Sequence, residues 1–263
     1  MTHTDAPVCM ITGAASGIGA ATAMRFARAG WSVAIGNFDE TTRPGAFAVE
    51  TGCRALGAQT LILDIDVSDD TACRRAVDTV SAHWQRMDAL VNCAGTTRVI
   101  PHHALDDVDA AEFERVYRVN AIGLFQMTRA AAPLLRKSAE AGRSTSVVNV
   151  SSLAGLNGTG SSIAYAASKG AVNTMTLSLA RSLAPYVRVN AIAPGMVDDG
   201  LLQRTLDPSH YRDVLARMKE NSPLLRVSQP AEIAELAFFL TDQAPALTGQ
   251  VIAAENGFLL VVP

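Results

Sequence analysis

The sequence predicts an α/β fold, with a parallel sheet buried by helices on both faces. Three observations point there. Apolar runs of strand length alternate with longer helical runs along the whole chain. Of the 263 residues 49% are hydrophobic but only 5% aromatic, so the core must come from Ala, Val, Ile and Leu, the residues that suit strands covered on both sides. A glycine cluster also separates the first apolar run from the first helical one, where a tight turn leads a strand into a helix. No internal repeat, low-complexity segment or long Pro/Gly/Ser linker divides the chain, so one domain over 1–263 is expected.

Val8–Thr12 reads as the first strand. It ends at Gly13-Ala14-Ala15-Ser16-Gly17-Ile18-Gly19, and the Ala-rich helix Ala20–Ala29 runs on to Gly30. Strand, glycine turn and helix make a phosphate-binding fingerprint. The glycines let backbone approach a pyrophosphate, whose charge is favoured at the helix N-terminus. Trp31–Gly36 is the second strand, ending in Asn37-Phe38-Asp39-Glu40, near the place ~20 residues past the glycines where such units read a ribose. No element is assigned between Asp39 and Thr60, and Arg43 is placed in a loop. Thr60–Ile65 is the third strand, leading to Asp66-Val67 and the helix Asp69–Trp84. Asp88–Val91, the fourth, runs into Asn92-Cys93-Ala94-Gly95, small residues that a flat ring across the sheet edge would need. The long helix Asp109–Lys137, interrupted by Gly123 and Pro133, carries Asn120. An asparagine inside a helix is either exposed or kept for its hydrogen bonds. Ser146–Val150 is the fifth strand and Ser161–Ala184 a helix. Val187–Ile192 follows as the sixth strand, then Pro194-Gly195-Met196-Val197-Asp198-Asp199. Gly200–Asn221 has an apolar side and reads as a substrate lid around 197–222 or as a surface helix on the core. Pro230–Leu240 and Gln250–Ala254 complete the chain as helix and strand.

Parallel sheets bind ligands outside the carboxyl ends of their strands. Gly13–Gly19, Asn37, Asp66, Asn92–Gly95, Ser152 and Pro194 all fall there. Tyr165 and Lys169 stand four apart and so share one helix face. A phenol ordinarily titrates at about 10. A lysine cation within ~4–6 Å favours the phenolate, and lowering the value by ~3 units takes roughly 4 kcal/mol. Ser152, thirteen residues before Tyr165, can donate to an oxygen that the tyrosine also touches. Together they could polarise a carbonyl or deprotonate an alcohol. Taken alone, Tyr-x-x-x-Lys describes an ordinary helix pair with a solvated lysine equally well.

Other function classes fall away. A net charge of −3 and a pI near 5.9, with no basic stripe, argue against nucleic acid. No apolar run reaches the ~18 residues of a membrane span, and the N-terminus lacks the pattern of a signal peptide. Cys9, Cys53, Cys73 and Cys93 form neither a disulfide framework nor a metal site; Cys93 reads as a small buried filler. The expectation is a cytoplasmic protein with a small-molecule ligand and no metal.

Thr12-Gly13-x-x-x-Gly17-Ile18-Gly19, Asn92-x-Ala94-Gly95, Asn120, Ser152, Tyr165-x-x-x-Lys169 and Pro194-Gly195 resemble, in order and over nearly the whole chain, the short-chain dehydrogenase/reductase family. The resemblance implies a single doubly wound Rossmann domain with a seven-stranded parallel sheet, a nicotinamide cofactor and a homotetramer. It implies Tyr165 as general acid/base and Ser152 orienting the substrate oxygen. Lys169 would hold the nicotinamide ribose and depress the tyrosine, and Asn120 would keep a proton-relaying water. Gly13, Ser16, Gly17, Ile18, Gly19, Asn37, Asn92, Ala94, Gly95, Pro194, Gly195 and Val197 would line the cofactor, with Asp66 and Val67 flanking adenine. All four tetrad positions are filled, which favours a working enzyme.

Departures from the family pattern matter too. Cys93 stands for a common second asparagine, and Asp199 for a threonine near the carboxamide, where a carboxylate cannot donate unless protonated. Glu255-Asn256-Gly257 replaces Asp-Gly-Gly. Asn37 replaces the acidic residue usual with NAD; its amide can still bond a ribose 2′-hydroxyl. Ser16, Gly36, Asn37 and Phe38 offer no cation for a 2′-phosphate, which favours NAD over NADP. The reading is hydride transfer between nicotinamide and the carbonyl or secondary alcohol of a small substrate. Alternatives are a 3-oxoacyl-carrier-protein reductase, whose loop Gly95-Thr96-Thr97-Arg98 resembles, and a non-catalytic nucleotide sensor. An extended-type epimerase would need a larger C-terminal region.

Overall fold

Seven strands form one parallel sheet in the computed structural model of the chain, which describes residues 5–260. They are β1 (Val8–Thr12), β2 (Ser32–Asn37), β3 (Thr60–Asp64), β4 (Ala89–Asn92), β5 (Thr145–Val150), β6 (Val187–Pro194) and β7 (Val251–Ala254). Their order across the sheet is β3-β2-β1-β4-β5-β6-β7. Every residue of β1, β2, β4 and β5 is buried, so these strands read as unbroken apolar runs rather than alternating ones.

Alternate side chains still feed two separate cores. Cys9, Ile11, Val33 and Ile35 face α1 (Gly17–Arg28), α2 (Arg43–Ala55) and a later helix, α9 (Pro230–Phe238). There Phe26, fully buried, meets Trp31 and Phe238 edge-on at ring separations of 5.0 and 5.2 Å. Val8, Met10 and Ala34 point the other way, against α3 (Asp70–Trp84), α5 (Leu124–Glu140) and α7 (Ile163–Leu183). The order of strands reverses beside β1, so β1 and β4 splay their connections to opposite sides and leave a crevice at their C-terminal ends.

Two expectations need correction. The stretch after β2 is not a loop: α2 begins at Arg43 with Pro44 in its first turn, where a missing N–H costs nothing. The long helix before β5 is two helices, α4 (Ala110–Tyr117) and α5, joined by a π-helical turn over Arg118–Gly123 that holds Asn120. Gly123 is needed in that turn because a Cβ there would lie 2.7 Å from a Val67 methyl. The short α6 (Ala154–Asn157) precedes α7, and a single-turn helix over Leu201–Arg204 precedes α8 (Pro208–Asn221). No helix among the described residues is long and apolar enough to cross a membrane. Residues 261–263 lie outside the described residues, as do residues 1–4 at the start of the segment read as lacking a signal peptide.

Candidate active site

The strand ends open into a cleft of about 870 Å³. Its floor is the glycine turn between β1 and α1. Gly13 and Gly17 take φ of +63° and +53°, a region that penalises any side chain. A Cβ on Gly13 would lie 2.9 Å from Cα of Ala94, and one on Gly17 would lie 2.9 Å from the Asp199 carbonyl oxygen. Thr12 Oγ1 accepts from the backbone N–H of Cys93 and of Ala94, both at 3.0 Å, tying the turn to the end of β4. Gly13, Ser16, Gly17, Ile18, Ala94 and Gly95 all border the cleft. Gly19 does not; its missing side chain lets α1 pack on the Gly13 backbone. Bare backbone at a helix N-terminus fits a diphosphate.

Toward β3, Asp66 and Val67 border the cleft as expected, Asp66 Oδ1 accepting from Ser68 N and Oγ at 2.9 and 2.7 Å. Asn37 does not reach it. The side chain is buried, its Nδ2 donating to Asp39 O (3.0 Å) and Asp64 Oδ1 (2.9 Å) while its Oδ1 accepts from Thr42 Oγ1 (2.8 Å). Both donors of the amide are taken and the side chain is buried away from the cleft, where Phe38 and Thr42 line the wall instead. Asn92 is likewise turned inward, donating to Thr128 Oγ1 and Asn149 Oδ1. Arg43, in α2, is engaged by Asp64 at 2.6 Å and Glu40 at 3.0 Å.

At the other end α7 brings Tyr165 and Lys169 to the cleft opposite Ser152. Ser162 caps that helix, its Oγ accepting from the Tyr165 N–H at 3.2 Å. Gly155 of α6 packs so closely that a Cβ would lie 2.5 Å from the Lys169 carbonyl carbon. Lys169 is buried and its Nζ donates to the Val150 carbonyl at 2.8 Å. Burial pushes this ammonium down to about 8. Tyr165 moves against expectation. Burial raises the phenol above its ordinary value, the Ser152 hydroxyl opposes the rise, and Cys93 adds to it. The lysine does not depress it, because an ammonium held near 8 has lost its proton before so high a phenol titrates. Burial of the thiol likewise lifts Cys93 to about 11, but the residue is only half-buried and lines the cleft, so it is not the buried filler expected. Asn120 stands behind the wall. Its Oδ1 accepts from Thr96 N (2.8 Å), and its Nδ2 donates to Thr96 O and Ser168 Oγ, both at 3.0 Å.

The segment after β6 borders the cleft from above. Pro194, Gly195 and Val197 reach it, followed by Leu201, Leu202 and Leu206 and one face of α8 that presents Val214 and Met218. Met196, Tyr211 and Val227 form a small core beneath that segment. The Tyr211 hydroxyl donates to Asp198 Oδ1 at 2.8 Å and accepts from Asp199 N at 3.2 Å. Asp199 is exposed, and it is its backbone carbonyl that approaches the glycine turn. The Glu255-Asn256-Gly257 departure now has a physical reason. Asn256 O accepts from Ser222 Oγ and its Nδ2 donates to Ser228 Oγ, both at 3.0 Å, while Gly257 at φ +90° leaves room for Pro223. This corner fastens the base of α8 to the end of β7. Sequence reasoning also missed Arg204, whose Nη1 donates to Ser16 Oγ. The two lie 188 residues apart, and no local pattern links them.

A family model described as enoyl-(acyl carrier protein) reductase matches residues 13–259. A protein described as a ketoacyl reductase of the granaticin polyketide synthase of Streptomyces violaceoruber is 37% identical over 96% of each chain. The cis-4-hydroxycyclohexanecarboxylate dehydrogenase of Sinomonas cyclohexanicum is 36% identical over 97% of each. Among solved structures, one described as a short-chain dehydrogenase/reductase from Burkholderia xenovorans is 72% identical, with a TM-score of 0.92, covering 98% of this chain and all of that one. Strand order, glycine cradle and Tyr-Lys helix agree with that likeness, and the chain belongs to the short-chain dehydrogenase/reductase family of hydride-transfer oxidoreductases.

Proposed function

We propose that the protein interconverts a ketone and a secondary alcohol with Tyr165 as general acid/base and NAD as the preferred cofactor. One observation carries this reading: Ser152, Tyr165 and Lys169 converge on the cleft whose floor is the glycine cradle. A bound nicotinamide would supply or accept the hydride. The Ser152 hydroxyl donates to the substrate oxygen and fixes its position. Tyr165, held protonated by burial, donates to that oxygen as a ketone is reduced and takes the proton back in the reverse direction. Lys169, near 8, can return a proton to it close to neutral pH.

Carboxylates support NAD. Asp39 and Glu40 past the end of β2 lie near Asp64 at the end of β3, and Arg43 is already paired with Glu40 and Asp64. A 2′-phosphate there would meet negative charge. The wall of Leu201, Leu202, Leu206, Val214 and Met218 suits a substrate with an apolar body, and we read 197–222 as a lid over it. The two relatives differ by one point of identity, so likeness alone does not separate a ring alcohol from an acyl chain. The ketoacyl relative favours a 3-oxoacyl-carrier-protein substrate as the second reading. Faster turnover of an acyl-carrier thioester than of its free ketone would select it.

Tyr165→Phe keeps the ring and removes the proton. Its kcat should fall by about 10² or more, with the cofactor Kd unchanged. Near-full turnover of that variant would remove Tyr165 from the chemistry, and a wild-type kcat/KM higher with NADP(H) would reverse the cofactor choice.

A further inference from the structure

We propose that Arg204 is a phosphate-binding cation, carried by the segment over the cleft and closing on the cofactor's diphosphate. The inference rests on the nicotinamide reading above and assigns a residue that no motif of the glycine turn contains. Its position is fixed from three sides. Nη1 donates to Ser16 Oγ, and the same nitrogen lies 3.7 Å from where a Gly17 Cβ would stand. The third is electrostatic: the Cys93 thiol at the end of β4 feels the charges of Lys169 and Arg204 together. The guanidinium therefore overhangs the middle of the cleft, between the wall of Phe38, Thr42 and Asp66 and the Tyr165–Lys169 end. A dinucleotide spanning those ends must pass its two phosphates through that middle.

Charge accounting points the same way. Arg43 is held by Glu40 and Asp64 and Arg115 by Glu112, while Arg217 of α8 borders the cleft, like Arg204, without an ion pair among the described residues. Arg204 makes no ion pair among the described residues, and the side chain it donates to, Ser16, is a neutral hydroxyl. Ser16, for its part, makes no side-chain cap bond to α1 although it occupies the N-cap. A guanidinium has five donors, so a contact to Ser16 leaves others for phosphate oxygens. Diphosphate binding would thus draw down the Leu201–Arg204 turn and with it α8, coupling cofactor binding to closure over the substrate.

Isothermal titration of wild type, Arg204→Gln and Arg204→Lys with adenosine, ADP-ribose, NAD and NADP tests this, alongside hydrogen exchange over 197–222. Arg204→Gln should weaken ADP-ribose, NAD and NADP alike, by about tenfold or more, and leave adenosine unchanged. Arg204→Lys should recover part of the loss. NAD should slow exchange over 197–222 in wild type and not in Arg204→Gln. Equal affinities of wild type and Arg204→Gln for ADP-ribose and NAD would overturn the proposal while leaving the nicotinamide reading intact. A loss confined to NADP would make Arg204 a 2′-phosphate ligand, overturning both the diphosphate assignment and the NAD preference. Failure of wild type to bind NAD, NADP or ADP-ribose would remove the reading itself.

Discussion

Lys169 shows what the site demands of a single residue. Its ammonium is buried with one backbone carbonyl as hydrogen-bond partner, and burial holds it near 8 against an ordinary 10.5. Below pH 8 both folded and unfolded chains carry the proton, and the fold bears the full cost of burying it. Between pH 8 and 10.5 the unfolded chain still binds a proton that the folded one has released, so stability rises with pH across that window. Above it the lysine is neutral in both and the cost vanishes. At neutral pH that cost is of the order of 3 kcal/mol. Lys169→Met should therefore stabilise the protein at pH 7 by roughly 1–3 kcal/mol, with the advantage fading toward pH ~10.5. Urea unfolding at a series of pH values would measure it, and a variant less stable than wild type at pH 7 would contradict the buried-cation account. The pairing of Tyr165 with Lys169 was legible in the sequence because helix geometry fixes neighbours four apart. The direction of the tyrosine's shift was not, since it depends on what covers the ring. Asn37 and Asn92 fail for a related reason: position at a strand end is readable, whereas the way an amide turns is set by partners such as Asp64 and Asn149, distant in sequence.

At the scale of elements, strands were the easiest to read and the α2 and α8 regions the hardest. Parallel strands covered on both faces declare themselves as apolar runs. Arg43-Pro44-Gly45 looks like a turn, yet Pro44 opens a helix and Gly45 sits where a side chain would strike the Ala15 backbone. The Gly200–Asn221 segment was readable as an amphipathic piece but not as one with its own small core around Tyr211. That tyrosine fastens the segment to the chain leaving β6. Its hydroxyl holds the Asp198 carboxyl below its ordinary range, with help from Gln229, and burial together with that carboxylate lifts the phenol itself to about 12. Tyr211→Phe keeps the packing and removes the donor, for a loss of about 1 kcal/mol. The loss should be local. Hydrogen exchange across Pro208–Asn221 should quicken while the central strands stay protected, and KM for substrate should rise more than kcat changes. Unaltered exchange in α8 would show that the apolar core alone holds it.

The whole molecule carries apolar surface that one copy does not bury. Ile122, half exposed at 51%, and Phe125 at 40% lie in the π-helical turn and the first turn of α5. Leu177 on α7 and, at the C-terminal turn, Leu259 and Leu260 are also exposed, Leu260 at 77%. Leu177 stands 3.8 Å from a Cβ position on Gly249, just before β7, so α7 and the β7 edge belong to one side of the molecule. Ile122 and Phe125 make a second exposed patch, on elements that pack against α7. Exposed apolar patches of this kind mark association surfaces. One self-complementary patch closes a dimer about a two-fold axis, and two different patches on one chain give two axes and a tetramer. We expect light scattering at micromolar concentration to report a particle of about four times the 27.7 kDa chain. Phe125→Glu should break the α4–α5 contact alone and leave a dimer held by the α7–β7 side, with the fold intact by circular dichroism. A single 27.7 kDa species in wild type would rule out the tetramer. A Phe125→Glu variant that stays tetrameric would remove the α4–α5 side from the assembly and require both two-fold contacts to come from elsewhere.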